Sequence, residues 1–352
     1  MTNRIYLCLA HMSGKEQDFV KEAFDTNWVV PLGPNVNGFE EDLKQFVGGR
    51  NEVVVLSAGT AAVHLALIAC GVTPGDEVIV QSFTFCASSH PIAYLGAKPV
   101  FVDSEMDTWN MDPVALERAF ELYPDVRLIV AAHLYGTPGK IDEIKAVADK
   151  HGAKIIEDAA ESLGASYKGK QTGTFGDFNA ISFNGNKIIT GSAGGMFLTD
   201  SEEDANKVRK WSTQARENAP WYQHEEVGYN YRMSNVIAGV VRGQFPYLEE
   251  HIAQKKAIYE RYREGLKGLP VSMNPFDAAN SVPNFWLSCM IIEPDAMCRQ
   301  VRGEQEVLFI PEHGKSCPTE ILDAIASINA EGRPIWKPMH MQPIYRLNGF
   351  VT

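Results

Sequence analysis

Two segments of this chain decide its fold: KIIEDAAES at residues 154–162 and ISFNGNK at residues 181–187. Each contains an apolar run typical of a buried strand. The first segment places a carboxylate, Asp158, at the predicted strand end. The second places a hydroxyl, Ser182, and an amine, Lys187, just before a glycine-rich turn. Because the carboxyl ends of parallel strands meet at one edge of a sheet, we expect these three groups to lie close together.

Predicted strands and helices alternate through the first half of the chain and beyond. Short apolar runs predict strands at residues 53–56, 77–81, 98–102, 128–132, 154–157, 180–183 and 195–198. Helical patterns predict helices at residues 16–24, 39–46, 61–69, 88–95 and 141–151. This alternation indicates an α/β fold, with a mostly parallel sheet covered by helices on both faces. Ligands of such folds bind at the carboxyl ends of the strands.

The pattern changes after the last of these strands. Helices are predicted at residues 202–211, 236–249 and 252–266, and a polar and aromatic loop at residues 212–235. The remainder mixes short strands and helices. We therefore expect a large domain over residues 1–240, which includes the N-terminal segment, and a smaller C-terminal domain over residues 241–352.

The amino-acid composition indicates the class of protein and its cellular location. A chain of 352 residues with 45% hydrophobic and 22% charged residues is typical of a globular enzyme. The net charge of −12, with no basic run, argues against a nucleic-acid partner. No signal-peptide pattern and no membrane-spanning run occur in the sequence, so we predict a cytoplasmic protein with no membrane partner.

The six cysteines and nine histidines show no metal-ligand spacing. We expect the cysteines to be reduced thiols in apolar surroundings, and His133 to be structural or a substrate contact. No metal site is predicted.

The carboxylate, hydroxyl and lysine suit pyridoxal 5'-phosphate. This cofactor requires a lysine for its aldehyde, a carboxylate for its ring nitrogen and donors for its phosphate. Lys187 and Asp158 are therefore predicted to be catalytic. Taken singly, Lys187 could be a surface lysine on a loop. Asp158 could be a helix N-cap, with Glu161 at the spacing of a capping box. Glu161 could equally face the ring hydroxyl of the cofactor.

Further contacts to the cofactor are predicted at other strand ends. Gly59 and Thr60 begin a helix, where backbone N–H groups and a hydroxyl can bind the phosphate; the alternative is an ordinary N-cap threonine. Phe85 would lie against the cofactor ring, or else be a core aromatic residue. The loop at residues 229–234 supplies Asn230 and Arg232, or is a turn with a solvated arginine.

At these residues the chain resembles the pyridoxal phosphate-dependent nucleotide-sugar aminotransferases of the DegT group, which have the aspartate aminotransferase fold, fold type I. The resemblance covers essentially the whole chain. It rests on an ordered set of segments: PLGP (31–34), SAGTAA (57–62), SFTF (82–85), EDAAE (157–161), SFNGNK (182–187), GYNYR (228–232) and RPIWK (333–337). Within the group, DAAE, FNGNK and TQARE (213–217) most resemble the bacterial UDP-4-keto-6-deoxy-N-acetylhexosamine 4-aminotransferases, which serve glycan biosynthesis.

The resemblance implies a role for each residue that matches its motifs. Lys187 matches the lysine that forms a Schiff base with the cofactor, and Asp158 matches the partner of the ring nitrogen. Phe85 matches the residue that stacks on the ring, and Gly59, Thr60 and Ser182 match phosphate contacts. Asn230 matches a residue that reaches the phosphate across a dimer interface, which implies a homodimer with shared active sites. Relatives often have histidine or glutamine in place of Glu161.

The resemblance also implies a mixed sheet in the large domain and an α+β small domain. In relatives this small domain ends with a further strand and helix, so we expect a chain truncated at Thr352.

The implied reaction is a ping-pong transfer of an amino group. L-glutamate gives its amino group to the cofactor, and a 4-keto nucleotide sugar then takes it up. Freed Lys187 moves a proton between the cofactor carbon and the sugar carbon. Loops and resemblance suggest a set of substrate contacts, namely Trp28, Asn186, Arg216, Trp336 and His340.

Two alternative functions fit the sequence less well. In a pyridoxal phosphate-dependent sugar dehydratase, a histidine replaces the lysine, and Lys187 counts against that enzyme. A non-catalytic, regulatory protein that binds the cofactor is disfavoured by the combination of Lys187, Asp158 and Ser182.

Overall fold

The computed structural model describes residues 3–48 and 52–352. Its helices are α1 (Glu16–Asp25), α2 (Pro34–Phe46), α3 (Gly59–Ala69), α4 (His90–Tyr94), α5 (Pro113–Leu122), α6 (Ile141–His151), α7 (Glu202–Ser212), α8 (Asn235–Gln244), α9 (Leu248–Gly265) and α10 (Pro318–Ser327). None of the helices in these two ranges has both the length and the apolar composition that crossing a membrane requires.

The strands alternate with the helices in the first part of the chain and are shorter in the last part. They are β1 (Glu52–Leu56), β2 (Glu77–Gln81), β3 (Lys98–Val102), β4 (Leu128–Ala132), β5 (Lys154–Asp158), β6 (Ser166–Tyr167), β7 (Lys170–Gln171), β8 (Phe178–Ser182), β9 (Gly195–Thr199), β10 (Val271–Met273), β11 (Ser281–Val282), β12 (Met290–Ile292), β13 (Arg299–Arg302), β14 (Val307–Ile310) and β15 (Phe350–Val351).

A mixed sheet forms the centre of the molecule. Among the described residues it has eight strands in the order β1-β9-β8-β5-β4-β2-β3-β15. Strand β9 runs antiparallel to both of its neighbours, and the remaining pairs are parallel. The connection from β8 to β9, residues 183–194, contains no crossover helix, so β9 returns antiparallel. The mostly parallel sheet predicted from the sequence is confirmed.

The sheet is covered by helices on both faces because successive side chains of a strand point to opposite sides. In β1, Val54 and Leu56 pack with α3 in one apolar cluster, whereas Val53 and Val55 pack with α2 and α8 in another. A third cluster joins β2, β3 and β4 to α5 and α6. Since both faces are covered, the loops at the strand ends are the accessible part of the sheet.

Three helix predictions need correction. Helix α2 begins at Pro34 rather than at residue 39, because proline is well suited to the first turn of a helix. Helix α5 is absent from the predicted helices, although Pro113 follows an N-cap, Asp112, whose side chain accepts a hydrogen bond from the N–H of Val114. The predicted boundary between residues 249 and 252 is wrong: α8 ends at Gln244 and a 3-10 turn containing Pro246 precedes α9.

The last part of the chain builds small sheets and also returns to the central one. Strands β10 and β12 form one small sheet, β13 and β14 another, and β11 joins β6 and β7 in a third. Strand β15 pairs in parallel with β3 at the edge of the central sheet. Strand β15 thus lies in the central sheet although it belongs to the predicted C-terminal domain of residues 241–352. The division into two domains at residues 240 and 241 stays a prediction.

Candidate active site

The carboxyl ends of the parallel strands meet at one edge of the central sheet. Asp158 is the last residue of β5 and Ser182 is the last residue of β8. Gly59 begins α3 shortly after β1 ends, on the far side of β9 from β8. A side chain on Gly59 would meet the Ser182 side chain, so α3 and β8 are in contact at this edge. The structure thus brings together strand ends that are distant in sequence.

Asp158 is a buried carboxylate with a hydrogen-bond donor on each oxygen. The Ser88 hydroxyl donates to Oδ2 at 2.6 Å, and the N–H of Ala160 donates to Oδ1 at 3.1 Å. The hydroxyls of Ser88 and Thr84 lie 2.8 Å apart, so Ser88 is itself held in place. A turn follows Asp158 rather than an α-helix. The alternative of a helix N-cap is therefore wrong, and Asp158 has a fixed orientation.

Lys187 lies on the loop between β8 and β9, with only 11% of its side chain exposed. Its Nζ is 3.9 Å from Oε1 of Glu161 and 4.4 Å from the centre of the Trp286 ring. Burial lowers the pKa of Lys187, while the carboxylates of Glu161 and Asp158 oppose that shift. The alternative of an exposed loop lysine is wrong. A buried amine with a lowered pKa is suited to act as a nucleophile.

Glu161 faces the lysine and is anchored from the other side. Its Oε2 accepts a 2.6 Å hydrogen bond from the N–H of Tyr135, a residue held at a left-handed φ of 55°. Burial raises the pKa of Glu161 to about 7, and Asp158 adds to this effect, while Lys187 and the N–H of Tyr135 oppose it. Glu161 caps no helix, so the capping-box alternative is wrong. Its carboxyl group changes charge near neutral pH.

The N-terminus of α3 provides the donors for an anion. Ala58 precedes the helix in an extended conformation, and no side chain caps the first turn. The first helical hydrogen bond runs from the N–H of Ala62 to the carbonyl of Ala58, which leaves the N–H groups of Gly59, Thr60 and Ala61 ahead of it. Since Thr60 is not an N-cap residue, that alternative is wrong. Backbone N–H groups at a helix N-terminus suit a phosphate.

An aromatic group lies beside these polar residues. The Phe85 side chain is 49% exposed and its ring centre is 5.2 Å from that of Trp336. Trp336 in turn lies 4.7 Å from the ring of Tyr135, whose hydroxyl accepts a hydrogen bond from the Trp336 N–H. Phe85 is therefore not a core aromatic residue, and it stays available to a flat ligand.

The other predicted contacts have separate surroundings. Trp28 is 38% exposed, and its carbonyl accepts a hydrogen bond from Asn235. Arg216 is exposed and lies over the Tyr222 ring at 4.2 Å. The His340 Nδ1 is 2.7 Å from the hydroxyl of Ser82, and the His340 ring stacks on Phe350.

Asn186 and Asn230 both have exposed side chains. The carbonyl of Asn186 accepts hydrogen bonds from Trp286 and Cys8. The contact of Asn230 with a partner's phosphate stays a prediction. Arg232 is not solvated: it forms a 2.6 Å ion pair with Glu40 and bonds the carbonyl of Val55.

His133 contacts the site through its backbone, because its N–H donates a 3.1 Å hydrogen bond to the carbonyl of Asp158. Its Nε2 lies 2.8 Å from Oε1 of Glu157, and both side chains are buried. Although burial of Glu157 favours the neutral acid, hydrogen bonds from His133, Gly173 and Phe175 hold the pKa of Glu157 below its usual value. The structural reading of His133 agrees with this geometry.

Sequence reasoning missed three residues of the site. Ser88 had a signal, because it falls in the polar segment that follows β2. Tyr135 and Trp286 had none: Tyr135 acts through its backbone N–H, and Trp286 lies 100 residues from Asn186, whose carbonyl it binds.

The site fits pyridoxal phosphate by the chemistry of its donors. A buried amine, a firmly held carboxylate and a helix N-terminus provide groups for the aldehyde, the ring nitrogen and the phosphate respectively. Together with the mostly parallel sheet, these groups define the class of pyridoxal phosphate enzymes with fold type I.

Comparison with known proteins agrees with this class. Residues 11–350 match the model of the DegT/DnrJ/EryC1/StrS aminotransferase family. EpsN of Bacillus subtilis (strain 168), named as a pyridoxal phosphate-dependent aminotransferase, is 46% identical over 351 residues, covering 98% of this chain and 84% of that protein. GDP-perosamine synthase of Caulobacter vibrioides is 34% identical, covering 97% of this chain and 87% of that protein.

A crystal structure agrees as well. That of a DegT DnrJ EryC1 StrS aminotransferase from Brucella abortus superposes with a TM-score of 0.83 at 25% identity, covering 96% of this chain and 85% of that one. The chain belongs to the DegT/DnrJ/EryC1/StrS aminotransferase family. It is a pyridoxal phosphate-dependent sugar aminotransferase of fold type I, and the predictions of fold, cofactor and enzyme class are confirmed.

Proposed function

We propose that this enzyme transfers the amino group of L-glutamate to the 4-keto carbon of a 4-keto-6-deoxy nucleotide sugar, a UDP-linked N-acetylhexosamine, for glycan biosynthesis. The observation that supports this transfer is the position of the Lys187 amine. Its Nζ lies 3.9 Å from Oε1 of Glu161, at the sheet edge where Asp158 ends β5. An amine and two carboxyl groups close together can move a proton within a site shielded from water.

Each residue has a defined task in this proposal. Bound pyridoxal phosphate supplies an aldehyde that carries the amino group and a ring that accepts electrons. Asp158 holds a proton on the ring nitrogen, and Ser88 fixes the direction of the Asp158 carboxylate. The N-terminus of α3, with Ser182, holds the phosphate. The Lys187 amine would bond to the aldehyde of the cofactor and, when free, would hold the proton that moves during the transfer.

The sugar class rests on the resemblance and on the relatives. The motifs of residues 157–161, 182–187 and 213–217 support the N-acetylhexosamine group of enzymes. The name of the Caulobacter relative gives a GDP-linked sugar, so the nucleotide must be tested directly. L-glutamate as donor, the homodimer with Asn230 shared between sites and the cytoplasmic location rest on the resemblance or on composition, and they remain part of the proposal.

The experiment follows a labelled nitrogen. The full chain is incubated with pyridoxal phosphate, L-glutamate labelled with ¹⁵N and either the UDP-linked or the GDP-linked 4-keto-6-deoxy sugar. Mass spectrometry then looks for a ¹⁵N-amino sugar and an equal amount of 2-oxoglutarate. We expect both products with the UDP-linked N-acetylhexosamine, and neither with Lys187→Ala.

Lys145→Ala is the matched control. Lys145 is an exposed lysine of α6 that pairs with Asp149, and its loss should leave turnover unchanged. If only the GDP-linked sugar gives a labelled product, the nucleotide of the substrate is GDP and not the UDP of the proposal. Loss of a sugar hydroxyl without uptake of ¹⁵N would indicate a dehydratase and contradict the proposal.

A further inference from the structure

Trp286 makes two contacts with the loop that carries the active-site lysine. Its ring is 98% buried, and its Nε1–H donates a 2.6 Å hydrogen bond to the carbonyl of Asn186. The Nζ of Lys187 lies 4.4 Å from the centre of the same indole ring. One side chain therefore holds both the backbone just before the lysine and the amine at its tip.

The position of Trp286 is fixed by Asn284, two residues earlier. Oδ1 of Asn284 accepts from the N–H of Trp286 at 3.0 Å, and its Nδ2 donates to the carbonyls of Glu161 and Leu163 at 2.8 and 2.9 Å. Gly136 has a φ of 87°, and a Cβ there would lie 1.8 Å from Oδ1 of Asn284, so the packing requires a glycine. The segment around Trp286 is thus docked on the same loop that carries Glu161.

The ring face and the nearby carboxyl act differently on the amine. An indole face attracts an ammonium group through its quadrupole without accepting a proton. Oε1 of Glu161, at 3.9 Å, lies beyond hydrogen-bonding distance of Nζ. The titratable groups that raise the pKa of Lys187 are Glu161, Asp158 and Cys8, and burial opposes all three. The ring can therefore attract the ammonium without accepting its proton.

We propose that Trp286 is a positioning residue, which holds the amine of Lys187 whenever this amine is not bonded to the cofactor. The indole N–H fixes the loop and the indole face stabilises the charged amine. This inference rests on the proposed role of Lys187 in the reaction.

The test measures the amine itself, in the full chain freed of cofactor. Trinitrobenzenesulfonate reacts with uncharged amines, and peptide mass spectrometry reports its reaction at Lys187 as a function of pH. In Trp286→Leu we expect the midpoint of this pH profile to fall by about one pH unit, because a cation–π contact contributes about 0.5–2 kcal/mol. In Trp286→Phe, which retains an aromatic face and loses the N–H, we expect the midpoint to stay near that of the wild type.

Loss of packing alone predicts the opposite result. A cavity at position 286 would admit water, and water would relieve the burial of Lys187 and raise the midpoint. A midpoint that rises or stays unchanged in Trp286→Leu would overturn the inference. If the leucine variant does not fold, as judged by its thermal unfolding, Trp286→Met replaces it with the same expectation.

The outcome is separate from that of the proposed function. The profile of Lys187 is measured without cofactor or sugar, whereas the proposed function fails if no ¹⁵N-amino sugar forms with the wild type.

Discussion

Ser88 and Asp158, 70 residues apart in sequence, form a 2.6 Å hydrogen bond within the buried site. The bond runs from the Ser88 hydroxyl to one carboxylate oxygen, and the N–H of Ala160 occupies the other. A carboxylate with both oxygens bonded has one preferred direction. A ring nitrogen that binds to it meets a preorganised partner, which needs little reorganisation when charge develops.

Removing the Ser88 hydroxyl should therefore slow amino transfer. For Ser88→Ala we expect the reaction of the cofactor-loaded enzyme with L-glutamate to slow by about tenfold or more, because a hydrogen bond to a charged group contributes about 1.5–3 kcal/mol. Stopped-flow absorbance measures the rate. Ser88→Thr, which keeps the hydroxyl, should retain most of it. Ser89→Ala is the neighbouring control, since the Ser89 hydroxyl donates to the carbonyl of Cys86 rather than to the Asp158 carboxylate. A Ser88→Ala rate equal to that of the wild type would disprove the role of Ser88.

Gly59 is required by the close approach of α3 to β8. A Cβ at this position would lie 2.9 Å from Cβ of Ser182 and 3.3 Å from the carbonyl oxygen of Ile181. We expect Gly59→Ala to displace the start of α3, to lower stability by about 1–3 kcal/mol and to weaken binding of pyridoxal phosphate by about tenfold. Chemical unfolding and a cofactor titration measure the two effects.

The matched control for this change is Gly265→Ala at the end of α9. A Cβ there meets nothing within 4 Å, so stability should be equal to or slightly above that of the wild type. Cofactor binding that is unchanged in Gly59→Ala would argue against a phosphate site at the α3 N-terminus.

Glu161 should make the stability of the cofactor-free protein depend on pH. Burial raises its pKa from 4.5 to about 7, so the folded protein holds this proton more tightly than the unfolded chain does. Its contribution to the free energy of unfolding is complete below about pH 4.5 and is lost as the pH rises to about 7. The glutamine of the variant Glu161→Gln cannot ionise, so the variant does not lose this stability as the pH rises. We therefore expect its stability relative to the wild type to increase from pH 5 to pH 8.

The titration of Lys187 also makes Glu161→Gln more stable relative to the wild type as the pH rises. Without Glu161 its pKa falls further, and an amine that is less protonated in the folded state adds stability as the pH rises. Urea unfolding at pH 5 and pH 8 measures the difference. A constant difference between the two proteins at both pH values would show that Glu161 does not titrate near neutral pH.

The sequence was sufficient for the parts of the fold that local pattern controls. Strands β2, β3 and β4 and helix α6 have the predicted bounds, because they are continuous apolar or amphipathic runs with clear ends. Asp158, Ser182 and Lys187 could be placed together since the ends of neighbouring strands determine their positions.

What the sequence could not provide depends on tertiary contacts. Trp286 reaches Lys187 from a segment that Asn284 docks on the loop after β5, and no local pattern signals this contact. The ion pair of Arg232 with Glu40 joins residues 192 positions apart, so a loop pattern alone suggested a solvated arginine. The pairing of β15 with β3 likewise joins two residues near Thr352 to an early strand.

The most direct measurement is the visible absorption of the full chain with pyridoxal phosphate, before and after L-glutamate, beside Lys187→Ala and Lys145→Ala. We expect yellow absorption in the wild type and in Lys145→Ala, and its loss when L-glutamate is added. Lys187→Ala should show no yellow absorption from a lysine-bound cofactor. Yellow absorption from a lysine-bound cofactor in Lys187→Ala, or yellow absorption in the wild type that persists with L-glutamate, would contradict the account of Lys187 as the residue through which the amino group is exchanged.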